Sequence, residues 1–316
     1  MTAKIKLGIS SCLLGRKVRY DGGHKLDRFI RDTLGQYVHF VPVCPEVESG
    51  LPIPRESMRL VGDPQHPRLL TTRTAIDHTE RMKRWAKKRL DALAQESLCG
   101  FIFKSKSPSS GMLRVNVYND KGMPQKTGSG IFAKAFMERF PGIPVQEEGR
   151  LHDPKLRENF IEQLFAMQRW RALLAQDKQI GPLVGFHTRE KLLLMSHSPK
   201  HYSHLGKLVA NGKRHCPHDL YDAYGKSYVA ALRLKTTTAK NSNVLQHILG
   251  YFKKQLSADE KQEMLDIIEA YRTGSVPLIV PITLANHYVR KYGQDYLAQQ
   301  SYLNPHPIAL QLRNHV

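Results

Sequence analysis

Residues 38–45 read VHFVPVCP, an apolar run stopped by a cysteine and a proline. A run this short, rich in valine and free of Lys, Arg, Asp and Glu, predicts a buried strand over Val38–Val43, with Cys44 in the loop behind it. The arrangement recurs upstream, where Ile5–Ile9 predicts a short strand ending in the Ser10-Ser11-Cys12 loop. It recurs downstream, where Gly100–Phe103 predicts a strand followed by Ser105–Gly111. Weaker strands are expected at Leu69–Thr72 and Ile143–Gln146, with helical spacing over residues 26–34, 76–97 and 131–139. Helices alternating with strands imply crossover connections, so the fold class expected here is α/β with a mainly parallel sheet. Ligands of such sheets bind at the carboxyl ends of the strands. Cys12, Cys44 and Ser107–Gly111 each follow a strand closely. Three loops distant in sequence are therefore expected to converge at one sheet edge.

The second half has a different rhythm. Apolar residues at helical spacing predict helices over Leu156–Ala175, Thr188–Val209, Pro217–Leu232, Thr238–Lys254, Ala258–Tyr271 and Pro281–Tyr292. Pro199 should break or kink the second of these. Ser257 with Glu260 forms a capping-box start for the fifth. An all-α C-terminal helical bundle follows from this pattern. The expected division is an α/β domain over residues 1–152, a connecting helix and linker over 153–182, and a helical domain over 183–316 that is expected to bind RNA.

Charge points to the partner. The 316 residues carry a net charge of +20. Residues 1–150 hold 26 Lys+Arg against 15 Asp+Glu, and the rest hold 22 against 13, so both halves are basic. A charge spread this widely favours an extended polyanion over a single docking peptide. Candidate contacts are the outer face of the Arg81–Arg89 helix, Lys207, Lys213, Arg214, Arg233, Lys235, Lys253, Lys254, Arg290 and Lys291. No segment approaches the roughly 18 apolar residues of a membrane span, and MTAKIKLGISSC lacks a signal-peptide core, so a cytoplasmic protein is expected. Four cysteines set far apart in a reducing compartment are not expected to form disulfides. Cys99 reads as a core residue, and Cys216 as a loop or helix-start residue. His197, His201 and His204 have the spacing of one helix face, but Pro199 interrupts it, so no metal is expected there. Tyr221, Tyr224 and Tyr228, at helical spacing, read as core. No Gly-x-Gly-x-x-Gly or Gly-Lys-Ser/Thr loop is present, which disfavours a nucleotide-binding fold of the common kinds.

The residues around the two early cysteines sharpen this. Residues 8–23 read GISSCLLGRKVRYDGG, residues 43–55 VCPEVESGLPIPR and residues 104–117 KSKSPSSGMLRVNV. Glycine and proline crowd each loop, as expected where backbone must approach a bound group. Together these ordered segments resemble the thiouracil desulfurase family, over roughly residues 4–150. LMSHSPKHYSHLGKLVA (194–210), HILGYF (247–252) and VPLIVPITLANHYVRKYG (276–293) resemble a helical domain often fused to that module. The fused form resembles desulfidases that return 4-thiouridine in tRNA to uridine.

The resemblance implies a 4Fe–4S cluster held by three cysteines, with one iron left free to take the sulfur of a thiocarbonyl as a Lewis acid. Cys12 and Cys44 match two ligands. The third belongs to a Ser-Pro-Ser-Cys-Gly motif, and Ser110 stands at that position. A hydroxyl is a harder donor than a thiolate. Three readings of Ser110 stay open: weak ligation, an introduced Cys→Ser change that silences the site, or a lost cluster that leaves an RNA-binding protein. The resemblance also implies Glu46 as the base that activates water, and Ser107 as donor to the departing group, with Ser109 its alternate. Tyr20, Asp21 and His24 are candidate contacts to the base or backbone. Arg55 would bind a phosphate or pair with Glu46. The partner implied is tRNA, with a free thiouracil base as the alternative substrate; no membrane and no obligate protein partner is called for.

Overall fold

The computed structural model describes residues 4–119 and 121–315. They fall into two compact units, Met1–Leu156 and Arg157–Val316. The first runs β1 (Ile5–Ser10), β2 (Val38–Val43), α1 (Pro45–Glu48), β3 (Met58–Val61), β4 (Arg68–Thr71), α2 (Thr79–Ala94), β5 (Gly100–Phe103), β6 (Val115–Tyr118), β7 (Pro124–Gly128), α3 (Ile131–Arg139) and β8 (Val145–Glu147). One sheet has the order β2-β1-β5-β8 and is parallel throughout, as the sequence leads one to expect. Of a second sheet, β4-β3-β6-β7, only β4 was legible, at the strand expected over Leu69–Thr72. This sheet joins one parallel pair to two antiparallel ones.

The parallel sheet is organised by aromatic packing. The rings of Phe101 and Phe103 stack at 4.3 Å on one face of β5, and Phe136 of α3 closes on Phe101 at 4.8 Å. Phe101 also crosses β1. A Cβ at Gly8 would come within 2.2 Å of its ring, so only glycine admits it. Helix α2 serves both sheets through one apolar stripe. Met82 packs with Leu60, Leu69, Val115 and Val117, while Ala86, Leu90 and Leu93 join Val41, Val43 and Phe101.

In the second unit the helices are α4 (Pro154–Leu174), α5 (Ile180–His197), α6 (Pro199–Ala210), α7 (Pro217–Arg233), α8 (Thr238–Tyr251), α9 (Ala258–Arg272), α10 (Ile279–Lys291) and α11 (Asp295–Ala298). Pro199 ends α5 and opens α6, where Ser198 accepts a hydrogen bond from His201 N. The Ser257–Glu260 capping box forms at α9. Trp170 of α4 stacks on Tyr224 at 5.4 Å and packs against Tyr221 and Tyr228, so these tyrosines are core.

Two buried carboxylates tie this unit together. Glu190 accepts from Arg169 Nε and Nη2, Tyr228 Oη and Ser301 Oγ at 2.6–3.0 Å. Glu162 sits 2.5 Å from His197 Nε2 and accepts from Arg313 Nη2 at 3.1 Å. His197 is thus spent on a carboxylate inside the core. Among the described residues no helix is long and apolar enough to cross a membrane.

Candidate active site at the carboxyl edge of the parallel sheet

Strands β2, β1 and β5 are neighbours, with Ser10 opposite Val43 and Ile9 opposite Ile102, so their carboxyl ends align. Cys12 lies in the helical turn Ser11–Leu14 that follows β1. Cys44 precedes α1, whose first residue is Pro45. The Ser107–Gly111 loop follows β5. All three meet at one cavity of about 340 Å³, lined by Cys12, Cys44, Glu46, Arg55, Ser107 and Ser110 among others.

Both thiols are buried. Burial pushes the Cys12 thiol up to about 11, and burial together with the Glu46 carboxylate pushes Cys44 up to about 12. A bound cation inverts that order and draws out the thiolate. Cys44 is held from its backbone: its N–H donates to Glu48 Oε1 at 2.8 Å, and Arg89 Nε lies 3.1 Å from Glu48 Oε2.

Glu46 joins the serine loop to the Cys44 loop. Its Oε1 accepts from Ser109 Oγ at 2.5 Å, and its Oε2 lies 3.5 Å from Cys44 Sγ and 3.9 Å from Arg55 Nη2. Ser107 Oγ is 3.0 Å from Ser109 Oγ and accepts from the N–H groups of Ser109 and Ser110. Ser107 faces the cavity, whereas Ser109 is fully buried behind it. Arg55 also donates to Val18 O and Pro52 O, so of its two expected uses the structure displays the Glu46 pairing.

The serine loop is clamped from behind. Gly130 N donates to Gly111 O, and Phe132 N and Ala133 N donate to Ser109 O. The free N–H groups at the start of α3 are thereby satisfied by the loop itself. A Cβ on Gly130 would come within 2.4–2.6 Å of the Ser109 and Ser110 backbone. Glu147 accepts from Met112 N and Leu113 N. Glu148 binds Lys104 Nζ, Ser105 N and Ser105 Oγ. Neither glutamate was picked from the sequence. Their one legible signal is position, at the carboxyl end of a parallel strand.

Other expected contacts scatter. Tyr20 lines the cavity. Asp21 turns to Arg19 and to Gly23 N, and His24 Nδ1 accepts from Leu26 N. Cys99 is buried at the amino end of β5, away from the cavity edge, and Cys216 is an exposed residue preceding α7. On α2, Arg81 donates to the Ser49 and Gly50 carbonyls.

A family model described as 2-thiouracil desulfurase matches residues 7–148, the span that builds the cavity. Two relatives are 30% identical over 152 residues: "Uncharacterized protein YbgA" of Escherichia coli (strain K12), with 48% of this chain and 90% of the relative covered, and "Uncharacterized protein YbbK" of Bacillus subtilis (strain 168), with 46% and 97%. The chain belongs to the 2-thiouracil desulfurase family. Behind its desulfurase-family domain, residues 191–307 match a second model, Protein of unknown function (DUF1722). A solved structure, "[4Fe-4S]-dependent thiouracil desulfidase TudS", is 32% identical and covers 48% of this chain and 95% of its own, with a TM-score of 0.39.

The desulfurase-family cavity offers three donors to a metal group: the sulfurs of Cys12 and Cys44 and the hydroxyl of Ser110. All three line the one cavity and are the three positions from which a group could be held there. Two are soft donors suited to iron–sulfur chemistry and one is hard.

Proposed function

We propose that the chain removes sulfur from 4-thiouridine in tRNA, with a 4Fe–4S group held by Cys12, Cys44 and Ser110. One observation carries this: two cysteines, Ser110 and a hydrogen-bonded carboxylate, brought from three loops, line a single cavity. Family membership supports the desulfurising chemistry. The charge of +20, spread over both halves, supports RNA as substrate, because a free base needs no polyanion surface.

The bound group supplies a Lewis-acidic iron for the soft thiocarbonyl sulfur. The chain's own residues then carry the proton traffic. Glu46 takes a proton from a water, and the hydroxide adds to the ring carbon. The C–S bond breaks, sulfide leaves, and a carbonyl oxygen stands in its place. The change is hydrolytic, with no net oxidation. Ser107 points its hydroxyl proton at Ser109 before reaction; turned into the cavity, that hydroxyl gives its proton to the departing sulfur, and the proton Glu46 took from water returns to it through Ser109. A base in structured tRNA must first leave its stack, at a cost of a few kcal/mol.

Ser110 favours one second reading, a protein that binds thiolated RNA without turnover. Purification without oxygen, iron and sulfide assays, and mass spectrometry of nuclease-digested tRNA separate the two. The expected result is bound iron and conversion of 4-thiouridine to uridine. Iron-free protein that leaves both tRNA and free thiouracil unchanged, as wild type and as Ser110→Cys, overturns the enzyme reading.

A further inference from the structure

Beside the cysteine cavity lies a second, larger one of about 730 Å³, which shares Met58, Ser105, Lys106 and Pro108 with it. Five cationic side chains line it: Arg59 of β3, Lys106, Arg114, Lys126 of β7 and Arg150. Among the described residues none of the five has an ion-pair partner. The single acidic lining residue is Glu147, whose carboxylate is engaged by the backbone N–H groups of Met112 and Leu113. Arg59 lies over the Tyr118 ring at 5.1 Å, and its Nε is buried with no hydrogen-bond partner. Lys106 and Arg114 flank the serine loop with φ of +60° and +53°, a region side-chain-bearing residues seldom adopt. Five unneutralised cations around one groove make a site for an anion larger than a single carboxylate. A guanidinium stacked on an aromatic ring and lining the groove is suited to phosphate oxygens.

Resting on the desulfidase reading above, we infer that this groove seats the phosphodiester adjoining the thiolated nucleotide. Lys106 immediately precedes Ser107, so a backbone held at Lys106 and Arg59 delivers the next base to the cysteine cavity. The α/β unit itself then distinguishes a thiouridine within a chain from a free thiolated base.

The test uses the full chain and a short single-stranded RNA carrying one 4-thiouridine. Binding is measured by fluorescence anisotropy over a salt series, and kcat/KM is measured on that RNA and on free thiouracil. For Arg59→Gln/Arg114→Gln, RNA binding weakens at least tenfold. The slope of log K against log salt falls by about 1–2, one for each phosphate left without its cation. The ratio of kcat/KM on RNA to that on thiouracil falls at least tenfold. Lys126→Glu, on the exposed strand β7, moves the same quantities in the same direction without touching a core position. Wild-type binding, salt slope and ratio in both variants overturn the inference. If wild type desulfurises the RNA and the variants match it, the groove assignment fails and the proposed function stands. If the variants lose RNA binding but wild type leaves the sulfur in place, the groove stands and the proposed function fails.

Discussion

Ser109 donates its hydroxyl proton to Glu46 across 63 positions of sequence, at an Oγ–Oε1 distance of 2.5 Å. An ionised carboxylate accepts only, so that proton is committed, and Ser107 must be the donor in the 3.0 Å contact between the two serines. The result is a one-way relay, Ser107 to Ser109 to Glu46, that fixes the carboxylate beside the Cys44 sulfur. Glu46→Gln is expected to lower kcat by about 10²–10⁴ with iron content unchanged. Ser109→Ala, which leaves the base but removes its orienting bond, should lower kcat by roughly tenfold with little change in KM. Steady-state kinetics beside an iron assay checks both. A parallel loss of iron would make Glu46 a support for Cys44 instead.

In the proposed cluster site, Ser110 would offer a hard oxygen beside the two cysteine sulfurs. Ser110→Cys supplies a soft donor at the same backbone site, so anaerobically purified protein should carry more iron and sulfide per chain and lose them more slowly to a chelator. Equal retention in the two proteins would show that the third protein ligand contributes nothing to holding the group.

Gly130 has no room for a side chain against the Ser109 and Ser110 backbone. Gly130→Ala should cost about 1–3 kcal/mol in urea unfolding, the usual range for overpacking. It should also displace the loop, so its iron content falls below that of Gly142→Ala, where a Cβ meets nothing within 4 Å.

The helical unit should be acid-sensitive. Burial lowers His187 and His306 from 6.5 to about 4. Burial alone would raise Glu162, but the His197 hydrogen bond and the charges of His197 and Arg313 outweigh it and hold the carboxyl well below its usual range. Between pH 6.5 and 4 the unfolded chain binds more protons at the two histidines than the native one. Their contribution is therefore complete above 6.5 and is lost as pH falls through that window; Glu162 adds its loss below about 4.5. Each kcal/mol lost moves the midpoint by roughly 2–4 °C. In a Trp85→Phe background, fluorescence comes from Trp170 alone and follows this unit. His187→Gln should flatten the upper part of the window. A midpoint constant from pH 7 to 4 would show that these buried groups have no linkage to folding.

The parallel sheet was legible because β1, β2 and β5 are short apolar runs that each end in a loop of small residues, and the strand–helix alternation sets the direction of all three. Of the second sheet only β4 was legible, at Leu69–Thr72. Strand β7 reads PQKTG and is exposed along Pro124–Thr127, so its identity comes from pairing with β6 and not from any apolar period. Val115–Tyr118 reads VNVY and Met58–Val61 reads MRLV, and four residues give a period of two little weight. Missing them hid the groove at Arg59 and Arg114. The helices of the second unit were readable from their 3.6-residue spacing. The Glu190 and Glu162 networks were not, because which helix faces meet is a long-range fact. At the active site, the Glu46–Ser109 bond was equally invisible; only the family resemblance had put both residues near the chemistry.

The basic face of α2 has a second employment. Arg89 holds Glu48, and Glu48 holds the Cys44 N–H; Arg81 straps the turn that follows at Ser49 and Gly50. Charge reversal at Lys83, Lys87 or Lys88 perturbs only the exposed side of this helix. The same reversal at Arg81 or Arg89 loosens a cysteine some residues away. A scan for RNA-binding residues along α2 would therefore score Arg81 and Arg89 as strong hits even with no RNA touching them, and iron content, measured beside binding, is what tells a weakened RNA grip from a missing cofactor.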